Sequence, residues 1–386
     1  MVIPEKIGVL INQAAQISKD VLRKNSTPIG LRANSELFQY ANWGRDTLFA
    51  LLGAVEMNDV EMVELNLNVF RDNQRSDGAI PLRIEQRSHT ADFINIWPFN
   101  RRYTEPKATF KSSQPWADEA VDVTALYIIA AGSYRKSPSG ELWWHDNVAS
   151  VEKAGEWLLN KTPHGLIHEG RVANWADYSL RQGTIGYTNV CTYKAYTELG
   201  WEEKAHTVRQ AIIDNFWDED AGYFIDWISP KGKKHQDFCA DVNMLAIAFG
   251  IADHVKSKKI LDFIEKSYGN EIPMGTYFPL HNLHRDLLTK LLFPIYDPET
   301  RTVMWWGSWK VINLLKEGHK EKALLALSQI AQFFLNHGTC PEVVLRDGTK
   351  SKNTLFHRSQ NDMTWTAGLF LLAFNNVMES FDRQPI

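Results

Sequence analysis

Two acidic residues lie inside long polar segments of the chain, some way before the next helix-patterned run. Asp177 stands between Trp175 and Tyr178 in the segment NWADYS, and Glu342 follows Pro341 in HGTCPEVVL. A glycosidic bond is hydrolysed by two carboxyl groups, one protonated to assist the leaving oxygen and one ionised to attack or to activate water. Partial burial against aromatic rings raises the pKa of a carboxyl group. We therefore expect Asp177 to be the general acid and Glu342 the general base.

Other polar and aromatic residues occur where apolar helical runs begin, or just before them. They are Trp43, Arg45, Asp46, Asp122, Trp175, Trp305, Trp306, Gln360 and Trp365. The chain contains 14 Trp, 19 Phe and 12 Tyr residues, and aromatic rings stack on sugar rings as well as filling cores. Trp305 and Trp306 are candidate sugar platforms, whereas Trp309 is expected in the core.

Acidic residues at such positions also have a simpler explanation. Capping and the helix dipole favour Asp and Glu in the first turn of a helix. Capping is the expected role of four further residues, Asp118, Glu119, Asp241 and Asp362.

Apolar residues recur at helical spacing through most of the chain and predict twelve helices. They lie near residues 4–23, 43–57, 59–74, 117–135, 147–160, 184–199, 201–216, 238–254, 256–267, 303–316, 319–336 and 361–378. The connections after the second, sixth, eighth and tenth helices are only a few residues long. The connection before every even-numbered helix is long, and the segment 136–146 is a partial exception to the alternation.

This alternation predicts six antiparallel helix pairs whose long loops all lie at one end. The even-numbered segments, such as VDVTALYIIAAG, are the more apolar, as expected for helices covered on both sides. The predicted fold is all-α, a single (α/α)6 barrel spanning residues 1–386, with inner and outer helices and an active site formed by the long loops.

Short motifs along the chain follow the order found in a known group of enzymes. Trp43-Gly44-Arg45-Asp46-Thr47 opens the second helix, and the following loop, 74–81, has the sequence QRSDGAIP. Further motifs are Asp122 before an inner helix, Trp175-Ala176-Asp177, Gly338-Thr339-Cys340-Pro341-Glu342, and Gln360 to Trp365. The chain resembles the six-hairpin glycosidases, (α/α)6-barrel enzymes that include glucoamylases, trehalases, neutral invertases and glucosyl- or mannosylglycerate hydrolases. The greatest similarity is to the amylo-α-1,6-glucosidase domain of glycogen debranching enzymes.

The resemblance implies roles for individual residues. In that family the carboxylate of the WGRD motif holds hydroxyls of the sugar in subsite −1, which implies this role for Asp46 with Arg45 supporting it. The matching motifs also imply substrate contacts for Gln74, Asp122, Gln360 and Trp365. The segment after Asp177 departs from the family pattern, with Tyr187, Asn189 and Tyr193 in place of its usual residues. This departure leaves the substrate open.

Composition excludes several other classes of protein. A net charge of −4 gives no reason to expect nucleic acid or an anionic membrane as partner. No segment approaches the roughly 20 apolar residues of a membrane span, and the start MVIPEKIGVLINQAAQ lacks a signal pattern, so we expect a cytoplasmic protein.

Cys191, Cys239 and Cys340 are too far apart for a zinc or redox motif and are expected to be buried thiols. We expect a small carbohydrate as partner and no metal or cofactor, while the oligomeric state stays open.

Three classes of function are compatible with the sequence. The leading hypothesis is an inverting glycoside hydrolase that releases a terminal sugar, glucose in the first instance, from a small α-glycoside. A sugar epimerase or unsaturated-uronyl hydrolase on the same barrel is the second, but epimerases abstract protons with paired histidines. The available histidines, His235, His281, His284, His337 and His357, show no clear pair. The third is a non-catalytic toroid that binds glycans through aromatic loops.

Overall fold

The helices predicted from the sequence are present in the computed structural model of the protein. It describes residues 3–36, 38–87, 102–112, 117–162, 165–176, 181–269, 277–278, 301–345 and 360–382. This part of the chain contains twelve α-helices: α1 (Glu5–Asn25), α2 (Gly44–Glu56), α3 (Val60–Asp72), α4 (Asp122–Tyr134), α5 (Pro138–Asn160), α6 (Gly186–Glu198), α7 (Glu202–Phe216), α8 (Ala240–Phe249), α9 (His254–Tyr268), α10 (Met304–Lys316), α11 (Lys320–His337) and α12 (Thr364–Asp382).

The even-numbered helices form a closed inner ring. Each contacts the next even-numbered helix, and α12 returns to contact α2. In α4 every residue except Ser133 is buried, which explains why this segment is apolar on all sides. Helices α3, α5, α7 and α11 pack on the inner helix that precedes them, and α1 packs on α12. The fold is therefore an (α/α)6 barrel, as predicted.

The ring closes where two helices from opposite ends of the chain approach closely. A Cβ atom at Gly53 of α2 would stand 1.9 Å from the carbonyl oxygen of Gly368 in α12. A Cβ atom at Gly368 would stand 2.3 Å from the Cα atom of Ala50. Only glycine fits at these two positions, so the sequence permits the short distance between α2 and α12 that closing the ring requires.

The fifth helix begins nine residues earlier than the periodicity predicts. Ser137 is its N-cap residue and accepts a hydrogen bond from the Gly140 N–H group, and Pro138 occupies the first turn, where it needs no partner for a missing N–H. The predicted start at 147 was wrong because this capping signal was overlooked. The connection between α4 and α5 is consequently as short as the others, and the exception at 136–146 disappears.

Short antiparallel strands accompany the helices, a feature that the sequence did not predict. They are β1 (Ser26–Thr27), β2 (Gly30–Leu31), β3 (Ala41–Trp43), β4 (Arg83–Arg87), β5 (Arg102–Thr109), β6 (Thr184–Ile185), β7 (Trp217–Asp218), β8 (Tyr223–Ile228), β9 (Lys234–Cys239), β10 (Tyr277–Phe278), β11 (Arg301–Val303) and β12 (Val343–Leu345).

Four of these strands lead directly into inner helices. Strands β3, β6, β9 and β11 each end at the residue before an inner helix. All four pair with strands of the long connections, β3 with β4, β6 and β9 with β8, and β11 with β12. These pairings fix the direction in which each first helical turn faces the barrel mouth.

Two further predictions can be compared with the described part of the chain. Cys191, Cys239 and Cys340 are free and buried, as expected. Among the described helices, none combines the length and apolarity that crossing a bilayer would need.

Candidate active site

The first turns of the six inner helices contribute one large side chain each to a common layer. The six residues, which we call the floor layer, are Arg45 (α2), Asp122 (α4), Tyr187 (α6), Asp241 (α8), Trp305 (α10) and Trp365 (α12). All six are more than nine-tenths buried. Four of them were predicted as site residues from the sequence, whereas Asp241 was expected to be a helix cap and Tyr187 was only a departure from the family pattern.

An ion pair joins the first two members of the floor layer. Arg45 Nε donates a 2.8 Å hydrogen bond to Asp122 Oδ2, and the two side chains are 4% and 0% exposed. Burying two charges costs more than their attraction returns unless they are paired with good geometry, as they are here. Arg45 and Asp122 therefore hold each other in place at the start of two neighbouring inner helices.

A second charged group surrounds Asp241. Arg181 NH1 lies 2.5 Å from Asp226 Oδ1 and 3.2 Å from Asp241 Oδ2, and all three side chains are essentially inaccessible to solvent. Asp226, Cys239 and Asp241 also place ligand-type atoms within 4.8 Å of one another, as a metal site would. The Arg181 guanidinium bonds to both carboxylates of this group, so the described residues already supply a cation there.

Asp241 bonds within the first turn of α8, as its sequence position suggested, and also to two side chains outside that helix. Its Oδ1 atom accepts the Val242 N–H group at 2.5 Å within the first turn of α8. Its Oδ2 atom accepts the indole N–H group of Trp175 at 2.8 Å as well as Arg181. The carboxylate thus connects the inner ring to the loop that carries Trp175.

That loop contains a buried carboxyl group that was not predicted from the sequence. Glu169 accepts a 2.6 Å hydrogen bond from the Thr188 hydroxyl and a second, short one from the Asn174 amide. Burial raises the pKa of Glu169 to about 7, against the opposing effect of these two hydrogen bonds, and the nearby Asp122 charge adds to the increase. Glu169 therefore titrates near neutral pH.

The other side of the floor layer is aromatic. The ring centroid of Trp305 lies 4.0 Å from that of Trp306 and 4.2 Å from that of Trp365, in stacked arrangements. Trp175 meets Trp305 edge-on at 4.9 Å. Trp305 and Trp306 are fully buried, so the structure does not present them as the open sugar platforms that the sequence suggested. Trp309 lies in the core, as expected.

Glu342 is held between the starts of α10 and α12, the helices that carry Trp305 and Trp365. Strand β12 begins one residue after Glu342, and Val343 pairs with Val303, the residue directly before α10. The Glu342 N–H group donates a 3.0 Å hydrogen bond to the carbonyl oxygen of Gln360, just before α12. Glu342 and Gln360 are 5% and 3% exposed. The backbone position of the predicted base is therefore fixed by two neighbouring inner helices.

Trp43 and Asp46 lie on either side of Arg45 at the entry to α2. Trp43 is the last residue of β3, and its ring centroid lies 5.1 Å from the Arg83 guanidinium and 5.6 Å from the centroid of the Phe38 ring, in a T-shaped arrangement. Asp46 is 8% exposed in the first turn of α2. Both residues are thus placed beside the floor layer.

Gln74, for which a substrate contact is expected, bonds to its own loop and to an outer helix. Its amide donates hydrogen bonds to the carbonyl oxygens of Gly78 and Ser150, both at 3.0 Å, and accepts the Ser150 hydroxyl at 2.9 Å. These partners belong to its own loop and to the outer helix α5. Gln74 therefore fixes a loop to the outer ring, because its hydrogen-bonding groups are already used there.

Several other expectations concern residues near these loops. The predicted acid Asp177 and its neighbour Tyr178 lie outside the described residues.

Asp118 and Glu119 do not cap α4, whose N-cap residue is Val121. Glu119 pairs instead with Arg75 and Lys161. Asp362 bonds to Lys24, Ser35 and Thr339 and so connects α1 to the segment before α12.

Buried polar atoms in and beside the floor layer have no partner among the residues that the structure describes. They include Asp122 Oδ1 and the Nε1 atoms of Trp305 and Trp365 in the layer, and Trp306 Nε1 beside it. More than nine in ten buried polar groups of native proteins are hydrogen-bonded, so four in and beside one layer are unusual. Three of these four groups are indole donors and one is a carboxylate acceptor, the kinds of group that bind a polyhydroxylated ligand.

Sequence reasoning missed Glu169, Arg181, Tyr187 and Asp226, although a signal was available for one of them. Asp226 is the only charged residue in the strand YFIDWI, which is otherwise apolar. A charge in a buried strand requires a partner, and this points to a cation elsewhere in the chain. Sequence spacing does not identify Arg181 as that cation.

Comparison with known proteins identifies the fold. The sequence matches no protein-family model and none of the curated proteins. Among solved structures, an uncharacterized conserved protein from Thermus thermophilus is similar with a TM-score of 0.69 and 14% identity, over 93% of this chain and 99% of that one. A GH63 mannosylglycerate hydrolase from Thermus thermophilus in complex with glucose has a TM-score of 0.67 and 14% identity over the same shares.

A glycosidase with a glutamate replaced by alanine, in complex with glucose, has a TM-score of 0.69 and 13% identity, over 98% of this chain and 99% of that one. Identities this low establish a shared fold and leave the chemistry to be argued from the residues. The protein therefore has the barrel fold of these structurally similar proteins. Its floor layer of buried charged and aromatic side chains lies at the starts of the inner helices, which the long loops precede.

Proposed function

We propose that the protein is an inverting glycoside hydrolase that releases a terminal sugar, glucose in the first instance, from a small α-glycoside. The observation that carries this proposal is the floor layer, with its buried indole donors and carboxylate acceptor beside Glu342. A sugar ring offers hydroxyls for these polar atoms and an apolar face for aromatic side chains. The similar structures with glucose bound support the same ligand class.

Within this proposal the bond is broken by two carboxyl groups. Asp177 donates its proton to the glycosidic oxygen as the bond from that oxygen to the anomeric carbon breaks. Glu342 accepts a proton from a water molecule, whose oxygen attacks the opposite face of the anomeric carbon. The configuration at that carbon inverts, and a separation of roughly 6.5–9.5 Å between the two carboxyl groups leaves room for the water.

The remaining residues bind the sugar that is released. Asp46 holds its hydroxyls, with Arg45 and Asp122 fixed beneath it as an ion pair. Trp43, Trp175 and Tyr178 enclose the ring, and the Nε1–H edges of Trp305, Trp306 and Trp365 donate hydrogen bonds. Gln360 supports Glu342 through its backbone carbonyl. The similarity to the debranching glucosidase makes an α-glucoside the first candidate, with glucosyl- and mannosylglycerate as the next.

The proposal extends to how the protein works in the cell. We propose that residues 1–386 act as one catalytic barrel without a cofactor, in the cytoplasm, on a small carbohydrate. Three free buried thiols fit a reducing compartment.

The proposal is tested by measuring sugar release from maltose, isomaltose, trehalose, sucrose, glucosylglycerate and mannosylglycerate. Asp177→Asn and Glu342→Gln should each lower turnover by at least about 10³-fold, because each removes one of the two groups that transfer protons. Glu119→Gln is the control, since Glu119 is paired with two partly exposed cations outside the floor layer. The anomeric configuration of the first product, followed by NMR, reports inversion.

Other outcomes would favour the other two classes. Binding without turnover across the panel would favour a glycan-binding toroid. Interconversion of a free sugar without hydrolysis would favour an epimerase. Turnover that survives both substitutions would overturn the assignment of the two carboxyl groups.

A further inference from the structure

Two chain segments that flank the proposed acid are fixed to each other by one amide side chain. Asn174 Oδ1 accepts the Ala176 N–H group at 3.0 Å and Arg181 NH2 at 3.0 Å. The Asn174 amide group donates to Glu169, which fixes its orientation so that Oδ1 faces both donors. Asp177 follows Ala176 directly in the chain, and Arg181 is four residues further on.

The same arginine fixes this junction to the barrel. Arg181 NH1 bonds to Asp226 of β8 and to Asp241 of α8, while its NH2 atom bonds to Asn174. Trp175 adds a second connection by donating to Asp241 at 2.8 Å. Arg181 is 1% exposed and Asn174 is 3% exposed. The backbone at Ala176 is thereby connected to the inner ring through Asn174 and Arg181, and the bonds of Arg181 involve charged groups, which make stronger hydrogen bonds than neutral ones.

We propose that Arg181 is the positioning residue of the general acid, an inference that rests on the proposed function. Consecutive Cα atoms are about 3.8 Å apart, so fixing Ala176 limits where the Asp177 backbone starts. A guanidinium can bond through NH1 to the two carboxylates and through NH2 to Asn174 at the same time. A lysine ammonium retains the charge but lacks this planar fork. In this role Arg181 acts through Asn174 and Ala176.

Arg181→Lys tests the proposal, because it leaves Asp226 and Asp241 with a cation while removing the bond to Asn174. The substrates are the methyl glycoside and the glycosyl fluoride of the sugar that the wild-type protein releases. An alkoxide requires protonation to leave, whereas fluoride leaves with far less assistance. A displaced acid should therefore lower kcat on the methyl glycoside about 10²-fold and kcat on the fluoride by less than about tenfold.

Asn174→Ala removes the same connection from the other side and should reproduce this selective loss. The double variant Arg181→Lys/Asn174→Ala should then be no worse than Asn174→Ala alone, because Asn174→Ala already removes the bond between Asn174 and Arg181 together with those to Ala176 and Glu169. Arg171→Ala is the matched control. Arg171 Nε donates to Gln182 Oε1 at 3.3 Å and so joins the same two segments, but at an exposed position. It should leave the ratio of the two rates unchanged.

Three results separate the inference from the proposed function. Asp177→Asn should show the same selective loss in a larger degree, and its absence would overturn the assignment of the acid together with that of Arg181. An equal loss on both substrates in Arg181→Lys, beside a selective loss in Asp177→Asn, would overturn the positioning role alone. A wild-type protein without turnover on any glycoside would overturn both.

Discussion

The two halves of the floor layer occupy equivalent places in the barrel yet have opposite chemistry. On one side, Arg45, Asp122 and Asp241 are buried charges, each held by an ion pair. On the other, Trp305 and Trp365 stack on each other at 4.2 Å. All of these residues stand in first turns of inner helices. The barrel thus supplies six similar positions, and the side chains alone decide what each position does.

The two halves also differ in how they contribute to the stability of the fold. Buried aromatic rings stabilise the fold through apolar area and stacking. Buried ion pairs contribute little net stability compared with apolar packing, but removing one partner is costly. The charged half therefore makes the barrel sensitive to single substitutions and to pH, while the aromatic half should tolerate conservative changes at any pH.

The largest expected effect is on the stability of the charged half. Asp122→Ala removes the carboxylate that pairs with the buried Arg45 guanidinium, and we expect a loss of about 3–5 kcal/mol in the free energy of unfolding. Adding Arg45→Met should recover part of that loss, since an apolar side chain replaces the buried charge. Urea denaturation measures all three proteins. If the double variant were as unstable as Asp122→Ala or more so, the proposal that Arg45 and Asp122 stabilise the fold as a pair would be wrong.

Asp46→Ala should separate activity from stability at a residue beside the charged half. Loss of a hydrogen-bonding group that acts on the transition state should lower kcat/KM about 10²–10³-fold, equivalent to about 3–4 kcal/mol. The free energy of unfolding should fall by only about 1 kcal/mol, the contribution of an acidic residue in a first helical turn. Asp118→Ala, at an exposed position near the same end, is the control. A stability loss as large as the activity loss would remove the case for a sugar contact.

The pH dependence of stability should come from Glu169, whose carboxyl group lies near Asp122 of the charged half. Below about pH 4.5 both the folded and the unfolded chain hold its proton. Between about pH 4.5 and 7 only the folded chain does, because burial raises the pKa of Glu169 to about 7. Stability should therefore fall by about 3 kcal/mol as pH rises through this window, and level off above it.

Glu169→Gln imitates the protonated carboxyl group and should remove this fall. Denaturation midpoints measured from pH 4.5 to 8 would show it, with Glu203→Gln on the exposed face of α7 as control. A Glu169→Gln curve parallel to that of the wild type would contradict the raised pKa.

The smallest effect is expected in the aromatic half. Trp365→Phe keeps an aromatic ring against Trp305 and should cost about 1–2 kcal/mol. No group in this stack titrates between pH 5 and 8, so the difference from the wild type should be the same at both values. A pH-dependent difference would show that the two halves are energetically coupled. Trp217→Phe, which is only partly buried outside the inner ring, should cost less.

Much of the fold could be predicted because burial leaves a pattern in the sequence. Helices covered on both sides are apolar all round, as in α4, and this pattern identified the inner ring. The start of α5 was missed although Ser137 and Pro138 signalled it, since the capping residues stand before the apolar periodicity begins. The bonds of Gln74 to Gly78 and Ser150 could not be predicted, because a motif shared with a family does not show which neighbour uses the amide group.

The sequence by itself determined that charged and aromatic residues stand at the starts of six apolar helices. Hydrophobic periodicity and first-turn chemistry are local, and a one-dimensional pattern records them. Only the tertiary structure decided which of these residues meet. Arg181 bonds to Asp226 and Asp241, which are 45 and 60 residues away, and no spacing rule connects them. Only the folded ring, whose first and last inner helices meet at Gly53 and Gly368, places residues so distant in sequence in one buried layer.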